Sequence, residues 1–158
     1  MIRIRSVPSS SQPGSARSSR PVPALPEPPG GCQAEIGSAS AMAAGALVYL
    51  RGGSCEQILA AVAMSLKNLL GLVCDPVSGL VEVPCVKRNV IGAVNAMSAA
   101  DMALAGIQSM IPADQVIDAM KEVGDLMDVS LRETGRGGLA ATRRGVEIRE
   151  RLQGEAAE

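Results

Sequence analysis

Beyond Ser54 the apolar positions fall on one face of a helix, with Ile58, Leu59, Val62, Leu66, Leu69 and Leu70 recurring at helical spacing. Ser54 followed by Gln57 forms a capping box at the start of this stripe, and Gly71 marks its stop. Ahead of it, Ser38 to Leu50 reads as a helix of small side chains halted by Gly52-Gly53. Residues 72 to 86 follow neither the helical nor the strand period. Asp75-Pro76 and Ser78-Gly79 are turn signals, so this stretch is a structured loop. A long helix is predicted from roughly Lys87 to Ser109, and Pro112 with Asp114 in the first turn opens another that runs to Val123. Two shorter helices, near Asp128 to Thr134 and Thr142 to Leu152, flank the break at Gly135, Gly137 and Gly138. The pattern predicts an all-α fold, a single domain of five or six helices with a structured cysteine loop and no strand.

The helical pattern starts only at Gly30. Residues 1–29 hold seven of the ten prolines, four arginines, two serine clusters and a single acid, Glu27. Such a segment buries too little apolar surface to offset the entropy of ordering, so disorder is predicted there. An organellar transit peptide, a linker and a misplaced start to the reading frame are alternative origins for it. The division expected is a Pro/Ser/Arg-rich segment over 1–29, a helical domain over 30–153 and a short tail over 154–158.

Composition narrows the core and the partners. Hydrophobic residues make up 47% of the chain, yet Tyr49 is its only aromatic residue, so the core is built from Ala, Val, Leu, Ile and Met. Those residues favour closely packed helices. A formal charge of -1 gives no electrostatic case for nucleic acid or an anionic membrane surface. Without Trp or Phe, stacking platforms for single strands are missing as well. The apolar run from Ile36 to Leu50 is short for a bilayer crossing, and that from Ile58 to Val73 is interrupted by Lys67 and Asn68, so no membrane span is read.

Four cysteines with no apolar leader fit a reducing compartment, with cytoplasm as the expected location. Cys32 follows Gly30-Gly31, Cys74 precedes Asp75-Pro76, and Cys85 sits between Pro84 and the long helix. All three stand at helix boundaries, where side chains can converge and exposed backbone N–H groups can stabilise thiolates. Cys55 differs, lying in the first turn of a capped helix. One reading makes these cysteines small buried hydrophobes of a non-catalytic helical interaction or structural fragment. The other is a soft metal centre with three thiolate ligands, which means iron–sulfur. Zinc fits less well, because the chain has no histidine and a four-cysteine site would have to recruit Cys55.

The stretches GGCQAEIGSASAMAAGAL (30 to 47), LKNLLGLVCDPVSGLVEVPCVKRNVIGAVNAMSAADMALAG (66 to 106) and LRETGRGGLAAT (131 to 142) closely resemble the catalytic alpha part of iron-sulfur L-serine dehydratase, the L-serine ammonia-lyase. The resemblance runs from Gly30 to about Leu152 and leaves out residues 1–29. It implies a helical fold and a 4Fe-4S cluster held by Cys32, Cys74 and Cys85, with Cys55 matching no ligand position. It further implies β-elimination of water from L-serine to give pyruvate and ammonia, as part of serine catabolism and gluconeogenesis. Three thiolates on a four-iron cube leave one iron open to act as a Lewis acid. An electron-transfer role would need a fourth ligand, for which Cys55 is the candidate.

The implied partners are L-serine and a beta chain or beta domain, in an oligomer. The family's serine- and histidine-bearing beta segment, and the alpha portion that precedes the first cysteine, have no counterpart here, so an incomplete catalytic unit is expected. The end at Glu158 without a terminal cysteine fits the form with separate alpha and beta chains. The general base stays unassigned. Lys67, Asn68, Lys87, Arg88 and Asn89 are candidate donors for the substrate carboxylate, with solvated helix ends as the alternative for the charged ones. Asn95 and Asp101 interrupt an apolar helix and either line the site or tie helices together.

Overall fold

The structure is a computed structural model that describes residues 30–155. The expectations for residues 1–29 and for the last three residues lie outside that range. A π-helical turn, Gln33–Gly37, runs directly into α1 (Ser38–Leu50). It is followed by α2 (Cys55–Asn68), α3 (Cys85–Leu104), α4 (Ala113–Leu126) and α5 (Arg143–Glu155). The described residues contain no strand, and their one extended pairing is a single parallel bridge between Cys74 and Arg132. The all-α prediction holds.

Local signals set most of the boundaries. Ser54 accepts from the Gln57 backbone N–H, and the Gln57 side chain accepts from the Ser54 backbone, so the capping box forms as its spacing requires. The long helix stops at Leu104, five residues short of the expectation. Gly106 turns left-handed with φ 87°, its N–H bonds to Ala103 O, and the Ile107 N–H bonds to Met102 O. That is a Schellman closure, which spends the last carbonyls before Ser109 can be reached. The helix expected near Asp128 to Thr134 is only a 3₁₀ turn, Val129–Leu131. The backbone there pairs with the cysteine loop, since Leu131 O accepts from Cys74 N–H and Glu133 N–H donates to Cys74 O.

The main core lies where α1, α2 and α3 meet, and its buried members are Ala44, Val48, Ala61, Met64, Ala96, Ala99, Ala100 and Ala103. Small residues let the backbones come close. A Cβ on Gly92 would stand 2.7 Å from Ile36 Cγ2, and one on Gly45 3.2 Å from Val62 Cγ2. A polar knot crosses the same junction. Asn95 Nδ2 donates to Ser40 Oγ (2.9 Å) and to Ser65 O and Oγ (3.0 Å each), while its Oδ1 accepts from Asn68. Of the two roles open to Asn95, the structure shows the tie between helices. Asp101 is also a tie: it is exposed and pairs with Arg51 at the end of α1.

Asn95→Ala is expected to lower stability by about 1–3 kcal/mol, because Ser40 and Ser65 are buried and lose a donor. The measurement is the urea midpoint at unchanged m-value; a shift worth under ~0.5 kcal/mol would show that the knot contributes little.

On the opposite side of α3, Val86, Val90, Ile91, Val94 and Met97 form an apolar stripe, each residue more than half exposed. No helix among the described residues is long and apolar enough to cross a membrane.

Candidate metal centre

Cys32 is fully buried at the mouth of the π-helical turn. The chain passes this point close to its neighbours: Gly31 is left-handed (φ 65°), and a Cβ there would meet Met127 Sδ at 2.8 Å and Leu72 O at 3.0 Å. The next residue, Gln33, locks the turn in place. Its backbone N–H bonds to Leu72 O, its Nε2 donates to Met120 O, and its Oε1 accepts from Gly71 N–H, each at 2.9 Å. Cys74 is held through its own backbone, by Leu131 O and the Glu133 N–H, both at 2.8 Å. Cys85 is the first residue of α3, at the end of a loop closed by Val77 N–H to Val83 O and Val86 N–H to Val81 O, each 3.0 Å.

These three elements bring the sulfurs together. Cys74 and Cys85 each lie near enough to Cys32 for its charge to bear on them, and Cys85 bears on Cys74 in the same way. Cys55 is exposed at the start of α2 and does not join them. The thiols are all free. Among the described residues no three His, Cys, Asp or Glu side chains meet the requirements of a single-ion site. A single zinc draws its sulfurs to about 2.3 Å from one centre, whereas a polynuclear group spreads its ligands wider.

Burial pushes the Cys74 thiol far above its ordinary range, and the neighbouring Cys32, Glu133 and Cys85 push in the same direction. The Cys85 thiol is raised as well, first by burial and then by Cys32, with Arg88 opposing. The helix start does not offset this, because the first-turn N–H groups of Val86, Lys87 and Arg88 bond back to Val81 and Pro84 carbonyls. Cys74 and Cys85 therefore hold their protons more tightly than an ordinary thiol in the free chain. As thiolates they would repel one another unless a cationic group sat among them.

These shifts predict a pH dependence. An unfolded thiol loses its proton near pH 9, and the folded Cys74 only well above that. Stability is fully present below pH 9 and is lost as pH rises toward the folded value, at about 1.4 kcal/mol per pH unit per thiol. Urea midpoints of the reduced chain should fall above pH 9, and Cys74→Ala should flatten that fall. Parallel profiles for the two proteins would refute it.

Arg88 crosses beneath the group. Its Nη1 donates to Asp75 Oδ1 at 2.7 Å and to Val73 O at 2.9 Å, and lies 3.9 Å from Cys32 Sγ. The second Asp75 oxygen accepts from Leu139 N–H at 2.7 Å. Gly138 is left-handed (φ 56°), and any Cβ on it would fall on that carboxylate. Among the candidate carboxylate donors, Arg88 is thus turned inward onto Asp75. Asn68 is taken by Asn95, Lys87 reaches the Glu82 carbonyl from an exposed position, Asn89 is exposed, and Lys67 is half-buried. Sequence reasoning missed Gln33, Asp75 and Gly138. The glycines at 135, 137 and 138, read only as a break between helices, were the signal that could have pointed to the close approach at Gly138.

Two cavities flank the bundle. One of about 770 Å³ lies between α2 and the turn leading into α4, and no cysteine lines it. The other, about 530 Å³, lies between the Ser78–Leu80 turn, the loop at Thr134 and α5.

The family profile described as serine dehydratase alpha chain matches residues 28–140, which include all three gathered cysteines, Asp75, Arg88 and Gly138. The chain belongs to the serine dehydratase alpha chain family. Among relatives of this serine dehydratase alpha-type chain is a Bacillus subtilis (strain 168) protein named "Probable L-serine dehydratase, alpha chain". It is 65% identical over 127 residues, 80% of this chain and 42% of that one. The "L-serine dehydratase, alpha chain" of Peptoniphilus asaccharolyticus is 58% identical over 120 residues, 76% of this chain and 41% of its own length. The "L-serine dehydratase 1" of Escherichia coli (strain K12) is 49% identical over 111 residues, 70% of this chain and 24% of that protein. The chain thus spans less than two thirds of these relatives.

Proposed function

We propose that this serine dehydratase alpha-type chain is a component of an L-serine ammonia-lyase that removes water from L-serine by β-elimination, giving pyruvate and ammonia. In this reading Cys32, Cys74 and Cys85 hold a 4Fe-4S cluster. The observation that carries it is the gathering of three buried or half-buried thiols whose charges disfavour one another. A soft donor set of this kind suits iron–sulfur, and the donors fit the group in number and type. When bound, the cluster would supply Lewis acidity toward the hydroxyl and carboxylate oxygens of the substrate.

The chain's own residues do the holding. Gln33 fixes the turn that carries Cys32, the Leu131–Glu133 backbone fixes Cys74, and the loop closures at Val77 and Val86 fix Cys85. Arg88 places a buried positive charge beside Cys32, which offsets the negative charge of a three-thiolate site. The proposed partner is a beta chain that completes the catalytic unit. The exposed stripe of α3, from Val86 to Met97, is the kind of apolar surface such a partner would cover. The free cysteines suit a reducing cytoplasm.

The test is anaerobic reconstitution of the full chain with iron and sulfide. About four irons and four sulfides per chain, with broad absorption in the visible, are expected. A chain that emerges colourless and iron-free under conditions that load an L-serine dehydratase relative would refute the proposal.

A further inference from the structure

No residue of α5 belongs to the three apolar clusters that hold the rest of the domain together. The helix packs instead on two short turns, Val77–Gly79 and Gly138–Ala141, and on no other described element to a comparable extent. The first turn lies between Cys74 and Cys85. The second is tied through Leu139 N–H to Asp75, the neighbour of Cys74.

One end of this seat is close. Gly145 is buried, and a Cβ on it would overlap Leu139 O and stand 3.0 Å from Ala140 O. Thr142 caps the helix: its Oγ1 accepts from Gly145 N–H at 3.1 Å and donates to Leu139 O at 2.7 Å. Further along the fit is open, for the crevice of about 530 Å³ lies between Arg149 and Leu152 of α5 and the residues Ser78, Leu80 and Arg136. Its charged lining is wholly cationic.

The turn beneath α5 is itself held in a costly state. Ser78 has a left-handed backbone, φ 58° and ψ 20°, and its buried Oγ lacks a hydrogen-bond partner. Such a state persists only where neighbouring structure imposes it, and both costs lapse once the turn opens to water. The elements packed on that turn are α5 and the Gly138–Ala141 turn.

We propose that α5 is a releasable strap: seated, it holds the loop between Cys74 and Cys85 closed, and lifted, it lets that loop open while α1 to α4 stay folded. Cys32 and Cys74 are both buried, so this opening gives a group that they hold a way in and out. That consequence rests on the lyase reading above; the strap itself stands on the packing of α5 and on Ser78.

The experiment follows amide hydrogen exchange in the full, reduced, metal-free chain. The hydrogen-bonded amides of Val77, Leu80 and Val86 should exchange together with those of α5, ahead of Ala96 to Ala103 in α3. Gly145→Leu favours the helix but cannot seat it, and should speed exchange at Val77, Leu80, Val86 and Leu139 roughly tenfold while leaving the α3 amides unchanged. Thr142→Val, at an exposed position, removes only the cap and should give the same pattern to a smaller extent. Unchanged exchange at the four loop amides in both variants would overturn the proposal. So would an equal loss of protection throughout α3, which would make α5 part of one cooperative unit with the bundle. Once loaded with iron, Gly145→Leu should yield it to a chelator about tenfold faster than the parent chain, and equal rates would overturn the strap's hold on the centre. A chain that never takes up iron counts against the lyase reading, and the exchange result then decides the strap by itself.

Discussion

Asp75→Ala is expected to lower the stability of the chain by about 3–5 kcal/mol, the size found when one partner of a buried ion pair is removed. Asp75 is almost wholly buried and Arg88 nearly so, so neither charge has water to fall back on. Removing the carboxylate leaves the guanidinium uncompensated and also orphans the Leu139 N–H, which has the second Asp75 oxygen as its acceptor. Domains of ordinary stability have about 5–15 kcal/mol in total, so the variant should sit near the edge of unfolding at 25 °C. Asp75→Asn keeps an acceptor for Leu139 and should fall between the two. In Asp75→Ala combined with Arg88→Met, much of the loss should return, because the stranded charge is gone. Denaturant unfolding followed by circular dichroism decides it, and a drop under ~1 kcal/mol for Asp75→Ala would show that water reaches the pair.

Replacing Cys32, Cys74 and Cys85 together by Ala is expected to abolish iron uptake altogether, from about four irons per chain to none. The metal-free fold should survive, since each change removes a methyl-sized sulfur and the Cys74 and Cys85 thiols, pushed up by burial and by Cys32, carry no charge for the fold to lose. Far-ultraviolet circular dichroism should stay helical while the visible absorption vanishes. Cys55→Ala separates the open-iron reading from an electron-transfer one. Cys55 is exposed at the start of α2, outside the sulfur group, so its loss should leave both iron content and spectrum unchanged. Loss of the cluster in Cys55→Ala, or retention of iron in the triple variant, would contradict the ligand assignment.

The two experiments probe one construction from different sides. Asp75 and Arg88 hold the cysteine loop against the Gly138 turn, and the same arginine lies beside Cys32. Weakening this joint should therefore loosen the metal centre as well as the fold. Asp75→Asn, which keeps the fold better than the alanine variant, is the form in which to see slower iron loading.

Much of the helical layout was legible along the chain. Ser38 to Leu50 emerges as a helix with those bounds, and the Ser54–Gln57 box caps α2 as its spacing foretold. Cys32 and Cys85 stand at helix starts as their surroundings foretold, whereas Cys74 lies clear of any helix, in the extended bridge with Arg132. Where the reading fell short, long-range pairing had overruled a local tendency. The segment after Asp128 gives up its helix to hold Cys74, and for Asn95, where the sequence left two roles open, the packed structure selects the tie between helices.

The sequence by itself determined the all-α class, the capped starts and glycine stops, and the residue types available for soft-metal chemistry. These are encoded within a turn or two of chain, where side-chain spacing and backbone preference act directly. Only the tertiary structure decided that Asp75 would meet Arg88 and the backbone of Leu139, that Gln33 would stitch α4 to the end of α2, and that Ser78 would be left strained and unpartnered beside a cationic cavity. Asp75 and Leu139 are 64 positions apart, and no local period carries information over that distance. What joins them is the burial of the whole domain, which forces every enclosed polar group to find whatever partner the packed chain brings within reach.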